Sequence, residues 1–302
     1  MRRLALPGPG SLVLLLALLV ATSRPATAQI ASPGPYDVVI RNGRVLDGAG
    51  NPWIRADVAI RDGRIAAVGR VGGPARRVID AEGRYVAPGF IDMMDQSGAV
   101  LGRNGLAENK LRQGVTTAIG GEGGTPVPAD SVGAWLDSLE AEGISLNFGS
   151  YFSSAQARRA VLGMADRPPG GEELERMKAL VRTAMEQGAL GMTSALIYPP
   201  SSFASTDELV ALGEVAAAYG GIYASHIRGE GKELVEAVEE AIEIGERAGM
   251  PVEIFHFKAA HEPGWGTLIR EAAARIEAAR NRGVDVAADQ YPYTAGGTGL
   301  AA

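Results

Sequence analysis

Gly221-Ile222-Tyr223-Ala224-Ser225-His226-Ile227-Arg228 and Pro251-Val252-Glu253-Ile254-Phe255-His256-Phe257-Lys258 decide how this chain is read. Each is a mostly apolar run with strong β preference that ends in a histidine and then a cation. Residues 233–249, between them, carry the apolar spacing of an amphipathic helix. Strand, helix, strand over about thirty residues is a βαβ unit, which makes the two strands parallel neighbours. Each imidazole then falls at the carboxyl end of its strand, where α/β sheets and barrels bind ligands. The chain has three histidines in all. Two at equivalent places in successive units point to a metal pair, against the plainer reading of each as a hydrogen-bonded rim residue.

Outward from this unit, the same alternation of strand and helix starts at residue 86. The strand candidates are 87–92, 115–120, 146–151, 190–196, 221–226, 252–257 and 284–289. Helical stretches fall at 131–141, 171–187, 207–218, 233–248 and 266–281, with acids opening several of them where the helix dipole favours negative charge. This rhythm predicts a parallel α/β architecture, with 87–302 as about seven of the eight units of a TIM-like (β/α)8 barrel. A doubly wound open sheet is the alternative, but no Gly-x-Gly-x-x-Gly loop follows an early strand. Gly120-Gly121-Glu122-Gly123-Gly124 lacks the spacing and the lysine of a phosphate loop. Residues 36–86 read differently, as short strands separated by turns at Asn42-Gly43 and Asp62-Gly63. They are expected to form a small antiparallel β module, part of a composite β-sandwich, packed against the α/β residues after it.

Composition bounds the rest. The 302 residues are 46% hydrophobic and 21% charged, ordinary values for a globular chain. Cysteine is absent, which removes disulfides, a thiolate nucleophile and cysteine-ligated metal from this chain. Residues 1–28 have a basic start, an apolar run at 12–20 and a small-residue Ala26-Thr27-Ala28 ending, the pattern of a secretory signal peptide followed by a linker at 29–35. The apolar run is short for a bilayer span, so no stable membrane insertion is expected after cleavage. The expected location is periplasmic or extracellular. Cleavage would remove Arg2, Arg3 and Arg24 and no acids, taking the formal charge from −6 to −6 − 3 = −9. That balance argues against a nucleic-acid partner.

These segments together resemble the amidohydrolase superfamily, and within it the N-acyl-D-amino-acid deacylases. The resemblance rests on Tyr36-Asp37-Val38-Val39-Ile40-Arg41-Asn42-Gly43, Ala87-Pro88-Gly89-Phe90-Ile91-Asp92, Gly114-Val115-Thr116-Thr117, Ile197-Tyr198-Pro199-Pro200, Ser225-His226-Ile227-Arg228, His256-Phe257-Lys258 and Asp289-Gln290-Tyr291-Pro292-Tyr293. It implies a metal-dependent hydrolase that cleaves the amide of a small-molecule N-acyl-D-amino acid with a zinc-activated water. His226 and His256 match the family's metal ligands on the fifth and sixth strands. Lys258 falls where the family contacts substrate, and Tyr198, Tyr291 and Arg228 are further candidates to bind the substrate carboxylate. Arg228 has a salt bridge to Glu230 as its alternative role, and Asp289 a loop-capping role.

The chain departs from the family pattern at three places. The His-x-His after Phe90-Ile91-Asp92 falls on Met94 and Gln96, poor zinc ligands, so one ion is expected and not two. The bridging cysteine after the second strand falls on Gly123, and Glu122 is the proposed replacement ligand. The general-base aspartate of an eighth strand is expected beyond Ala302, which would make these residues a fragment, poorly stable and catalytically impaired without the rest of the same protein. Two other readings stay open: a hydantoinase-like or dipeptidase-like amidohydrolase on another amide, and a non-catalytic barrel protein that has lost its metal chemistry. No Gly-x-Ser-x-Gly elbow supports serine hydrolysis.

Overall fold

Asp62-Gly63 makes the tight turn its sequence promises. Both residues have positive φ (52° and 68°), and Arg61 pairs with Arg64 across the hairpin. The computed structural model describes residues 35–298, so the expected leader and nearly all of the linker lie outside the described residues. The chain divides into two units at Pro88/Gly89.

The first unit holds β1 (Tyr36–Val45), β2 (Ile54–Arg61), β3 (Arg64–Gly69), β4 (Ala75–Asp80) and β5 (Tyr85–Val86). Two expectations need correction here. Asn42-Gly43 is no turn: β1 runs straight through it and pairs with β2 on both sides, with the register shifting between Ile40 and Gly43 as at a bulge. Gly43 is required because β5 lies alongside, and a Cβ there would sit 2.7 Å from Val86 Cγ2. Nor is the module purely antiparallel. The sheet order is β3-β2-β1-β4, and β4 and β5 both pair with β1 in parallel.

The second unit begins with β6 (Phe90–Asp95), α1 (Gly98–Leu101), α2 (Glu108–Leu111), β7 (Val115–Gly120) and α3 (Val132–Glu142). It continues with β8 (Asn147–Ser150), β9 (Phe152–Ser153), α4 (Ser154–Leu162), α5 (Gly171–Glu186), β10 (Gly191–Ala195) and α6 (Thr206–Ala217). β11 (Ile222–His226), α7 (Leu234–Ala248), β12 (Val252–Ile254), α8 (Leu268–Asn281) and β13 (Val286–Ala288) complete it. All strand pairs are parallel and follow chain order: β6-β7-β8 in one sheet, and β9-β10-β11-β12-β13 in the other. Only Tyr151 separates β8 from β9, so one extended segment links the two sheets. An order that never reverses is the opposite of a doubly wound sheet. It is a parallel α/β fold. Among the described residues β6 and β13 are not paired with each other.

Packing separates the two faces of this sheet. Tyr223 and Ile254 turn outward into a large apolar cluster with Leu209, Leu212, Val238 and Ile244 of the surrounding helices. Ala224 turns the other way, with Ile119, Tyr151 and Phe255. Alternation by two along β11 therefore puts His226 on the Ala224 face at the strand's carboxyl end. The strand expected at 252–257 ends at Ile254, because the chain turns at Phe255-His256 to present the second imidazole, and the one expected at 284–289 spans only Val286–Ala288. Among the described residues no helix is long and apolar enough to cross a membrane.

Candidate metal centre

His226 is the last residue of β11, and His256 stands two residues past β12. His256 adopts φ +38°, a left-handed conformation that costs a non-glycine residue about 1–3 kcal/mol. What holds it there is visible: its backbone N–H donates to Asp289 Oδ1 at 2.5 Å. Asp289, just past β13, thus has the capping role raised as its alternative, and its second oxygen is buried with no hydrogen-bond partner. Burial pushes its carboxyl upward, although the His256 N–H favours the charge. Buried Glu253 beside it is driven up to about 7 by burial and then by Asp289.

The two rings meet edge to face with centroids 4.4 Å apart. His256 Nε2 lies 3.1 Å from His226 Nδ1, and His226 Nδ1 lies 3.0 Å from Glu122 Oε1. Glu122 Oε1 and His256 Nε2 are 3.8 Å apart. Glu122 comes from the glycine loop after β7, and the three side chains are the group among the described residues whose ligand atoms all lie within 4.8 Å of one another. Two ligands about 2.1 Å from a tetrahedral ion stand about 3.4 Å apart, so this spacing fits a single ion. The donor set fits too, since imidazole and carboxylate are zinc ligands.

Electrostatics hold Glu122 and His256 charged. Burial works against ionisation of Glu122, yet the hydrogen bonds with His226 and His256 carry its pKa from 4.5 down to about 2. Burial likewise opposes a proton on His256, but the Glu122 and Glu230 carboxylates outweigh it and hold its pKa up at about 9. Glu230 sits on the far side of that ring, 2.9 Å from Nδ1. Burial would raise its carboxyl, but His256 and Lys258 bring it below the usual range. A carboxylate on the distal ring nitrogen fixes the tautomer that leaves Nε2 free to bind metal.

The other candidates divide. Lys258 is brought in: its Nζ is 3.1 Å from His256 Nδ1 and 2.5 Å from Glu230 Oε1. Tyr291 lies beside it, with the ammonium 5.8 Å from the ring centroid. Tyr198 stands edge-on to His226 at 5.3 Å, its hydroxyl 2.9 Å from Thr298 Oγ1. Arg228 is not brought in. It grips Glu240 with two nitrogens and donates to the carbonyls of Ser202 and Ala204, so its fork is already used within the protein. Its proposed partner Glu230 belongs instead to Lys258 and His256. Met94 packs against the inner apolar cluster, while Gln96 reaches the site through Glu122.

Two supporting residues escaped the sequence reading. Glu230 is in the loop after β11, where no periodicity marks it. Thr193 lies within β10, in register with Ala224, and nothing in the sequence around it marks it.

The chain is similar in sequence and in fold to several known proteins. The family of the urease alpha-subunit N-terminal domain matches residues 21–87. D-aminoacylase of Alcaligenes xylosoxydans xylosoxydans is 35% identical over 288 residues, which cover 88% of this chain and 59% of that protein. The crystal structure of a D-aminoacylase, described as defining a novel subset of amidohydrolases, superposes with a TM-score of 0.78 at 34% identity, over 87% of this chain and 60% of the other. N-acyl-D-glutamate deacylase of Bordetella bronchiseptica, solved with zinc and a phosphonate mimic of the tetrahedral intermediate, superposes at 0.76 and 34% identity, over 86% and 59%. The chain thus spans under two thirds of the length of these relatives. By sequence and by fold it is similar to the N-acyl-D-amino-acid deacylases of the amidohydrolase superfamily.

Proposed function

We propose that the protein is a hydrolase of N-acyl-D-amino acids in which His226, His256 and Glu122 hold one zinc ion. The observation that carries this is the convergence of His226 Nδ1, His256 Nε2 and Glu122 Oε1, with 3.0, 3.1 and 3.8 Å between them. Zinc so held would supply an activated water and polarise the amide carbonyl. The chain's own residues do the rest. Glu230 holds the His256 ring in place from its Nδ1 side. Lys258, half-buried beside Tyr291, offers a cation to the free carboxylate that every N-acyl amino acid carries. Tyr198, edge-on to His226, walls the site on the side of the loop after β10.

The fold reading extends in the same direction. The sheet order β6 to β13 supports an arc of a (β/α)8 barrel, and the β1–β5 sheet supports one layer of a β-sandwich. The basic start, apolar run and Ala26-Thr27-Ala28 support export, which a secreted form beginning at Gln29 would verify.

The test of the function is a pair of measurements on the purified full-length protein. Elemental analysis is expected to find near one zinc per chain, and amine release is expected from N-acyl-D- but not N-acyl-L-amino acids. No zinc binding and no amide hydrolysis would overturn the proposal.

A further inference from the structure

Glu122 is an unusual place from which to ligate a metal. It stands between Gly120-Gly121 and Gly123-Gly124, a stretch with no other side chain to hold it. The glycines are not optional. Gly121 has φ +101°, and a Cβ there would lie 2.4 Å from the Tyr151 carbonyl oxygen; Gly124 has φ +121°, and a Cβ would meet Gln156 Oε1 at 2.6 Å. A glycine-rich backbone loses more conformational freedom on ordering than any other. The loop therefore needs restraint from outside, and two side chains from other segments supply it.

Thr193 of β10, wholly buried, donates its hydroxyl to the carbonyl oxygens of Gly121 (2.7 Å) and Glu122 (3.1 Å). Gln96, just past β6, donates its side-chain N–H to Glu122 Oε2 at 2.7 Å. The first fixes where the main chain of Glu122 runs. The second ties up one carboxylate oxygen and leaves Oε1 turned toward both imidazoles.

Building on the proposed zinc reading, we propose that Gln96 and Thr193 are the positioning residues that make Glu122 a one-oxygen metal ligand. A carboxamide suits this task. It is neutral, so it does not neutralise Glu122, and as a donor it satisfies the oxygen that the ion does not use. It is also a poor zinc ligand, so with Met94 nearby the same side chain that supports the first ion gives a second one nothing to bind. What looks like a lost ligand position is in this chain a support.

The test measures zinc affinity by competition with a chromophoric chelator, together with the visible spectrum of the cobalt-substituted protein. The variants are Gln96→Met, which keeps length but removes the donor, and Thr193→Val, which keeps shape but removes the hydroxyl. Residues that orient a metal ligand from behind are worth about 10–100-fold in affinity, and a loss of that size with an altered cobalt spectrum is expected in each variant. Restoring a donor with Thr193→Ser is expected to recover most of it. Both side chains act on one loop, so an unchanged affinity in both Gln96→Met and Thr193→Val overturns the inference while leaving the zinc reading intact. Glu122→Ala separates the remaining cases. If it binds zinc as tightly as the parent while His226→Ala does not bind, Glu122 is no ligand: the inference fails, and the zinc reading keeps only its two histidines. If the parent binds no zinc, the zinc reading fails and takes the inference with it.

Discussion

The β9–β13 half of the second unit and its β6–β8 half build the same site by different means. In the first, α5 to α8 cover the outer face with one continuous apolar cluster, and every residue of β10 is buried. Its two ligands stand at or just past strand ends whose positions the sheet fixes. In the second, the outer cluster is small, gathered around Leu101, Leu139 and Leu146, and Phe90 and Ile91 of β6 remain 64% and 59% exposed. Its one ligand sits on a glycine loop and is steered by side chains from elsewhere. A metal site can thus join ligands set by a regular scaffold to one that depends on a few polar contacts.

If this contrast is right, stability should be concentrated in the β9–β13 half. Arg158 and Glu208 form a buried ion pair there between α4 and α6, with 2.5 Å between Nη1 and Oε2. Burial pushes the Glu208 carboxyl upward, against the pull of Arg158. Arg158→Met leaves that acid buried without its cation and is expected to cost about 3–5 kcal/mol in chemical denaturation. Lys110 of α2, paired with Asp92 and Asp95 in the other half, is less enclosed. Water reaches Lys110 and Asp92, although Asp95 is wholly buried, so Lys110→Met is expected to cost less, about 1–3 kcal/mol. Equal losses would break the comparison.

The ligands should rank in the same way. Structural zinc is held by about 10–16 kcal/mol shared among four ligands, so losing one imidazole costs about 2.5–4 kcal/mol. His226→Ala and His256→Ala are each expected to weaken zinc binding by about 100–1000-fold in chelator competition. Glu122→Ala should fall at the lower end of that range, because water can take the place of a loop carboxylate more easily than that of a packed ring.

Proton competition sharpens this further. His256 holds its proton up to about 9 in the metal-free protein, well above the ordinary 6.5. Its raised pKa stabilises the metal-free fold fully below 6.5, and that contribution disappears as pH rises through about 9. Zinc affinity must move the opposite way, rising about tenfold per pH unit between 7 and 9 and flattening above. An affinity already flat at pH 7 would mean that Glu122 and Glu230 do not hold the proton there.

How much of this could be read from the sequence follows the same division. The βαβ unit carrying both histidines was legible, because its strands are apolar, its helix is periodic, and both imidazoles fall at equivalent places. Helix α4 was not. Its sequence, Ser-Ala-Gln-Ala-Arg-Arg-Ala-Val-Leu, looks polar, yet Arg158 is wholly buried against Glu208 fifty residues away. The Asn42-Gly43 bulge was misread as a turn for a similar reason, since what decides between the two is which strand lies alongside. Glu122 could be named as a ligand from the resemblance, whereas its supports Gln96 and Thr193 could not, because they reach it from 26 and 71 residues away. Periodicity carries backbone architecture; polar contacts across distant segments are fixed only by the folded chain.

The smallest expected effect lies at the start of α5, where the regular half caps itself. Gly170 N–H donates to Glu173 Oε2 at 2.7 Å, and Arg167 grips the same carboxylate with two nitrogens. These contacts, Arg167 first, lower the Glu173 pKa from 4.5 to about 2. A lowered carboxyl pKa adds stability that is complete above the unfolded value and is lost as pH falls through the folded one. Glu173→Gln should therefore melt slightly below the parent protein at pH 7, and the gap should close as pH falls from 4.5 toward 2. The group is exposed and the pair screened by solvent, so the shift will be modest and should shrink in high salt. A gap that persists unchanged at low pH would assign the effect to helix packing, and the β9–β13 half would then owe its firmness to the apolar cluster alone.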